Sequence, residues 1–344
     1  MKYENAIGTL VHSACPSIQY RVRKEILGES PVSPMMLELQ NQILKDEAVQ
    51  DIFSWQEEDG WLGGQFHGDH GPECGVRRLA EKGVTNDHPV MIKALRALKL
   101  KSNDFQDVSF CLGRVGKALD DHHMGGSAMV LACVFAYAGL ENENLVQTQI
   151  QEALAGFQYV LTVRSVDELY KVRKDGTLVF NAGVKWPSIY HLRLLSFTQS
   201  WKGAQNKQML ADAVGKLAAF SPIPQIKVLE KGQVMAPASV FMGDFNPDME
   251  GLTPQEWMVW FHRAEMVARL GIADAVLAIK GQIDFLAAHL DANDGFFQKP
   301  LSHFYFTKWS QYMGLALEND WKANGARRND LTFRSLLILK YAGR

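Results

Sequence analysis

Two short polar clusters hold the residues best suited to moving a proton. In the first, GGQFHGDHGPEC, His67, Asp69, His70 and Cys74 stand in a glycine-rich loop that leads into a helical run. Imidazoles in such a loop can do acid and base work near neutral pH, ligate a metal, or serve only as loop residues. The spacing His-x-x-His with a cysteine four residues on matches no standard zinc arrangement. A metal at His67, His70 and Cys74 therefore needs a fourth ligand from elsewhere, and no other cofactor is called for. The second cluster, ALDDHHMGG, places Asp120, Asp121, His122 and His123 directly before an apolar helix, with Gly125 and Gly126 open to close backbone approach. Adjacent carboxylates and imidazoles can hold one proton at an unusual pKa, which is how a general acid is made. The competing reading is a capping loop in which one aspartate accepts backbone N–H bonds.

Residues that can contact a substrate are scattered more widely. Trp186 and Tyr190 stand beside a loop at one helix start, and Trp61 follows an Asp-Gly pair. Trp257, Trp260 and Phe261 have the spacing of a core face. Aromatic faces stabilise cations, stack on sugar rings or fill cores, so position decides among these uses. Arg327 and Asp330 precede the last helix, where an arginine can clamp a carboxylate or phosphate or can pair with the aspartate to tie the helix down. Asp244 lies in a long loop over 227–251 that is rich in Gly, Pro and Asp, with VMAPASVF as its one strand-like run.

The elements that must position these groups are nearly all helices. Apolar periodicity predicts them over 17–27, 34–55, 73–82, 89–100, 126–138, 145–163, 187–198, 205–220, 254–270, 273–290, 306–318 and 331–341. The run GSAMVLACVFAYAG is apolar all round and must be enclosed, whereas 145–163 keeps a polar face, as an outer helix should. A weak unit recurs: a helix, a loop with Asp-Gly and then a large apolar residue, and a second helix. Its loops are QEEDGW, KDGTL and DANDGFF. Such units bury their apolar faces only by stacking on one another.

Composition narrows the function classes. With 344 residues, 47% of them hydrophobic, there is material for a large core, read here as one domain over 1–344. A net charge of −2 without a Lys/Arg block gives no footprint for nucleic acid or an anionic membrane. No stretch approaches the roughly 20 apolar residues of a membrane span, and the N-terminal sequence has no signal-peptide pattern, so the expected location is the cytoplasm. Four scattered cysteines without a C-x-x-C pair argue against a disulfide framework.

The Asp-Gly-aromatic loops between helices, the opening CPSIQYRVRKEILG and the closing NDLTFRSLLILKYAG resemble proteins with prenyltransferase and squalene-oxidase repeats, the α/α toroids of the terpenoid cyclase and protein prenyltransferase superfamily. The resemblance implies an all-α (α/α)6 toroid, six inner and six outer helices around a central cavity, with the N-terminal ends of the inner helices on one rim. Characteristic catalytic motifs of that superfamily are missing: neither an aspartate-rich D-x-D-D acid nor a D-D-x-x-D magnesium site is present, and no Asp, Cys and His trio for zinc can be placed. The expectation is an enzyme using His67, Asp69, His70, Asp120, Asp121, His122 and His123 for acid/base chemistry on a small, partly apolar molecule. The resemblance makes that molecule terpenoid-like. A carbohydrate-active α/α barrel, with two carboxylates across an open cleft, and a non-enzymatic binding or scaffold protein are the alternatives.

Overall fold

The computed structural model describes residues 2–239 and 241–344; Val240, inside the run expected to be strand-like, lies outside the described residues. Among the described residues the regular structure is helical apart from two small hairpins, and the chain divides into two compact units. Unit 1 comprises Met1–Leu98, Leu252–Glu265 and Gln282–Arg344, and unit 2 comprises Lys99–Gly251 and Met266–Gly281. Among the described residues, no helix is long and apolar enough to cross a membrane.

In chain order the helices are α1 Glu4–Ser13, α2 Pro16–Arg21, α3 Pro34–Ile43, α4 Glu47–Ser54, α5 Pro72–Lys82, α6 Pro89–Lys101, α7 Ser109–Asp121, α8 Ser127–Tyr137, α9 Asn144–Val160, α10 Ile189–Ser196, α11 Ala204–Phe220, α12 Pro254–Leu270, α13 Leu277–Asp291, α14 Phe304–Thr307 and α15 Asn324–Tyr341. Helix α2 runs on into a π-helical turn, Val22–Leu27. Periodicity gave one helix over 34–55, but two form, because Asp46 caps the start of α4 by accepting from the Ala48 N–H at 2.8 Å. Helices α1 and α7 did not stand out in the sequence. In α7 the cause is glycine: Gly113 takes a φ of 57° and kinks the helix.

Unit 2 is organised around α8. Nine of its residues are buried, Ser127 and Met129 through Ala136, and α7, α9 and α10 pack against it. Helix α9 turns Leu145, Val146, Ile150, Ala153, Leu154, Phe157 and Val160 inward, the i, i+3, i+4 stripe of a half-exposed helix. The KDGTL loop does not join two helices. Its Asp175-Gly176 pair turns a hairpin between β1 Tyr170–Val172 and β2 Leu178–Phe180, because Asp-Gly between alternating residues favours a tight β-turn. A second hairpin, β3 Val228–Glu230 and β4 Gln233–Met235, turns on Lys231 and Gly232.

Unit 1 owes much of its order to buried charge. The helix expected over 306–318 stops at Thr307, and the chain beyond runs irregularly to α15. Buried backbone without a helix still needs hydrogen-bond partners. Side chains from α5 and α15 supply them: Arg77 donates to the Ser310 and Met313 carbonyls, Lys82 to that of Leu317 and Arg334 to that of Leu315, while Asp330 accepts from the Leu317 and Glu318 N–H groups and from Trp321 Nε1. Arg334 also pairs with Glu265 at 2.9 Å and Glu81 at 3.0 Å, and Arg21 with Glu25 at 2.6 Å and Glu81 at 2.5 Å. Burial alone would push the Arg21 guanidinium down; the charges of Glu25, Glu81 and Glu265 outweigh it and raise the group. Replacing Arg334 with Met leaves two buried carboxylates without this partner. Urea unfolding should show a loss of about 3–5 kcal/mol.

Candidate functional site

The site grows from the first turn of α8. A helix enclosed by its neighbours cannot offer its leading N–H groups to water, so a protein acceptor must stand there. Asp120, in the last turn of α7, is that acceptor: its carboxylate takes hydrogen bonds from the backbone at Gly126, Ser127 and Ala128, with Oδ2 3.2 Å from the Ala128 nitrogen. Gly126 makes that approach possible, and Gly125 that of Ser188 and His191. A Cβ on Gly126 would lie 1.9 Å from the Gly116 carbonyl oxygen and 2.6 Å from Asp120 Oδ1, and one on Gly125, at a φ of 78°, would lie 2.4 Å from Ser188 Oγ.

Burial at this end of α8 pushes the Asp120 carboxyl up to about 6, against the pull of the amide hydrogen bonds, with the Asp121 charge adding to the rise. Beside it, His123 follows the end of α7 in the left-handed region at a φ of 55°, and its Nδ1 lies 2.8 Å from Glu152 Oε2 of α9. His191 of α10 completes the group. The Ser188 N–H donates to His191 Nδ1 at 3.1 Å, so Nε2 carries the proton, and the ring also hydrogen-bonds to the His123 backbone. Burial drives His191 down to about 4, so its imidazole is neutral near pH 7. Asp120, His123, Glu152 and His191 line one cavity of about 240 Å³, with Thr148 and Gln149 on its wall. The His123 and Glu152 side chains are each 41% exposed, so this side of the cavity is wet.

No family model, curated protein or solved structure matches this chain. Of the second sequence cluster, Asp120 and His123 meet in the cavity, whereas Asp121 pairs with Lys117 at 3.1 Å on the exposed face of α7 and His122 approaches Glu230 at 3.3 Å. In the first cluster His67 Nδ1 lies 2.5 Å from Glu73 Oε2 with the Tyr312 ring edge-on, Asp69 reaches Lys308 at 3.4 Å, and His70 packs on Trp55. Cys74 is buried. Among the described residues no group of three or more His, Cys, Asp or Glu has the arrangement to hold a metal.

The remaining candidates take different places. Trp186 lines a second cavity of unit 2, about 220 Å³, with Phe180, Ile223, Pro237 and Met242. Ser188 lines it too and, through His191, touches the wall of the first. Tyr190 is buried with its carbonyl accepting from Cys133 Sγ, and Asp244 accepts from the Asn246 N–H within its own loop. Trp61 donates from Nε1 to the Gly64 carbonyl. Trp257 sits in a cluster with Trp260, Phe261 and Phe297 at 5.2 to 5.7 Å. Arg327 donates to the Trp321 carbonyl, and Asp330 serves the backbone as described.

Glu152 and His191 were not among the sequence candidates. His191 had a signal in SIYH, a serine three residues ahead of a side chain able to reach back to it, as a capping box requires. Glu152 had none, being one of several polar residues on the outer face of α9.

The two shifted groups pull stability in opposite directions. Asp120 holds its proton more tightly in the folded chain, so its contribution is full below about 3.8 and is lost as pH rises through about 6. His191 is the reverse: its contribution is present above 6.5 and is lost as pH falls through about 4. Relative to wild type, Asp120→Asn should gain about 1–2 kcal/mol between pH 4 and 7, after allowance for partial exposure, and His191→Gln should lose stability over the same rise. Urea unfolding at each pH reads both slopes. Gly126→Ala should cost at least about 2 kcal/mol at any pH, because the clash is with backbone.

Proposed function

We propose that this protein is an enzyme that transfers protons on a small molecule bound in the cavity of Asp120, His123, Glu152 and His191. The observation that carries the reading is the Asp120 carboxyl, pushed up to about 6 and so partly protonated near neutral pH, in one cavity with an imidazole backed by a carboxylate. An acid of that strength can give a proton to a leaving or carbonyl oxygen, and His123, polarised by Glu152, can take one. Neutral His191 holds the His123 backbone through its hydrogen bond and acts as a positioning residue.

We further propose that the helices assemble as the (α/α)6 toroid that the sequence resembles. An enclosed α8 beside a half-exposed α9 is the inner and outer pairing such a fold needs. A partly apolar, terpenoid-like substrate draws support from the apolar cavity at Trp186, whose Ser188 touches His191. A second reading has a specific observation of its own: Asp120 and Glu152 both line a wet cavity walled by Thr148 and Gln149, as a hydroxylated, sugar-like molecule would prefer.

Both readings meet in one experiment. Pools of monosaccharides, uronic acids and cyclic terpenoids are incubated with the protein in deuterated water, and products and deuterium uptake are followed by mass spectrometry. Turnover should fall at least about 100-fold in Asp120→Asn and in His123→Gly, the latter suited to the backbone it replaces. Equal turnover in wild type and both variants, or no deuterium uptake and no ligand-dependent shift of the His123 and His191 NMR signals with any pool, overturns the proposal.

A further inference from the structure

Unit 1 carries a cavity of a different character. It encloses about 340 Å³ between the loop after α13 and the start of α15, and its charged lining residues are Lys299, Arg327 and Arg328. No carboxylate lines it, and among the described residues none of the three cations forms an ion pair. Lys299 lies over the Trp257 and Phe285 rings at 5.0 and 5.5 Å, and Arg328 lies 4.8 Å over Phe296. Arg327 donates only to neutral acceptors, the carbonyls of Trp321 and Lys322 and the side chain of Asn324. Arg328 Nε is buried without a hydrogen-bond partner. Three half-buried positive charges without a counter-charge repel one another, and an arrangement of that kind is stable with an anion among them.

The backbone adds to the same field. Asn324 and Gly325, the first residues of α15, also line the cavity, the first turn contains no acidic residue, and no side chain caps it. The helix therefore brings an uncapped N-terminus to the cavity that the three cations line. The rest of the wall is apolar, from Phe297, Leu301 and Leu331.

We propose that this cavity binds the phosphoryl group of a small phosphate ester, with the organic part of the ester against Phe297, Leu301 and Leu331. A phosphate monoester brings close to two negative charges and three acceptor oxygens, which suits three cations and a helix start better than a single carboxylate does. The site lies in unit 1 and uses none of the groups assigned to proton transfer, so it stands or falls separately from that assignment.

The test is isothermal titration of the full-length protein with phenyl phosphate, inorganic phosphate and benzoate at low and physiological salt. Phenyl phosphate should bind at least tenfold tighter than benzoate, and more tightly than inorganic phosphate. Lys299→Gln and Arg328→Gln, each checked for wild-type unfolding behaviour, should each weaken it at least tenfold, and Asp120→Asn should leave it unchanged. Amide NMR shifts at Asn324 and Gly325 give a second readout that does not depend on the variants. Benzoate binding as tightly as phenyl phosphate, unchanged affinity in both folded variants, or no shift at those amides overturns the proposal.

Discussion

The N–H groups at the start of α8 are drawn into the interior with the helix that carries them, and much of unit 2 follows from that. A helix that is apolar on every side must be enclosed, and enclosure strands its leading amides. Asp120 satisfies them at the cost of standing in poorly solvated surroundings, and the same surroundings move its proton affinity toward neutrality. The group that holds the helix start is thus made into an acid by its structural task. His123, Glu152 and His191 lie around it because α7, α9 and α10 are the helices that enclose α8.

Unit 1 solves a related problem with different means. Its stretch between α14 and α15 is irregular yet partly buried, and helix-borne charges take over the hydrogen bonding that a helix would have supplied internally. Those charges need one another: Arg21 and Arg334 offset Glu25, Glu81 and Glu265 in the same interior. Such an arrangement adds little net stability over an apolar core, but it fixes one path for the chain, since any other would leave several charges unmatched. Lys299, Arg327 and Arg328 contrast with it, being positive groups of the same unit with no acidic neighbour in their cavity.

Much of the helical order was legible from apolar spacing, and so was the enclosed character of α8, because an all-apolar run admits few other placements. The misplacements have local causes. Glycines masked α7, and the Asp-Gly pair at Asp175 served a hairpin where the repeat pattern called for helices. The helix expected over 306–318 failed for a reason absent from the segment itself, since its backbone is claimed by Arg77, Lys82, Asp330 and Arg334 from elsewhere in the chain. At the site, ALDDHHMGG offered Asp120, Asp121, His122 and His123 together because adjacent carboxylates and imidazoles can share a proton, but spacing alone did not separate Asp120 and His123, which line the cavity, from Asp121 and His122, which pair outside it. Glu152 was illegible, for its role depends on which neighbour α9 faces. For Asp120, helix cap and proton donor are one carboxyl seen from two sides.

The absent side chain at Gly126 also constrains how the sequence can drift. The space a Cβ would need is taken by the Gly116 carbonyl and by the Asp120 backbone and carboxylate together. A larger residue at 126 is tolerable only if α7 backs away, and then Asp120 no longer reaches the amides it serves. The dependence therefore runs one way: the Gly116 carbonyl and the Asp120 nitrogen are backbone atoms, so position 126 must stay glycine whatever side chain stands at 120, whereas a carboxylate at 120 keeps its use only while 126 is glycine.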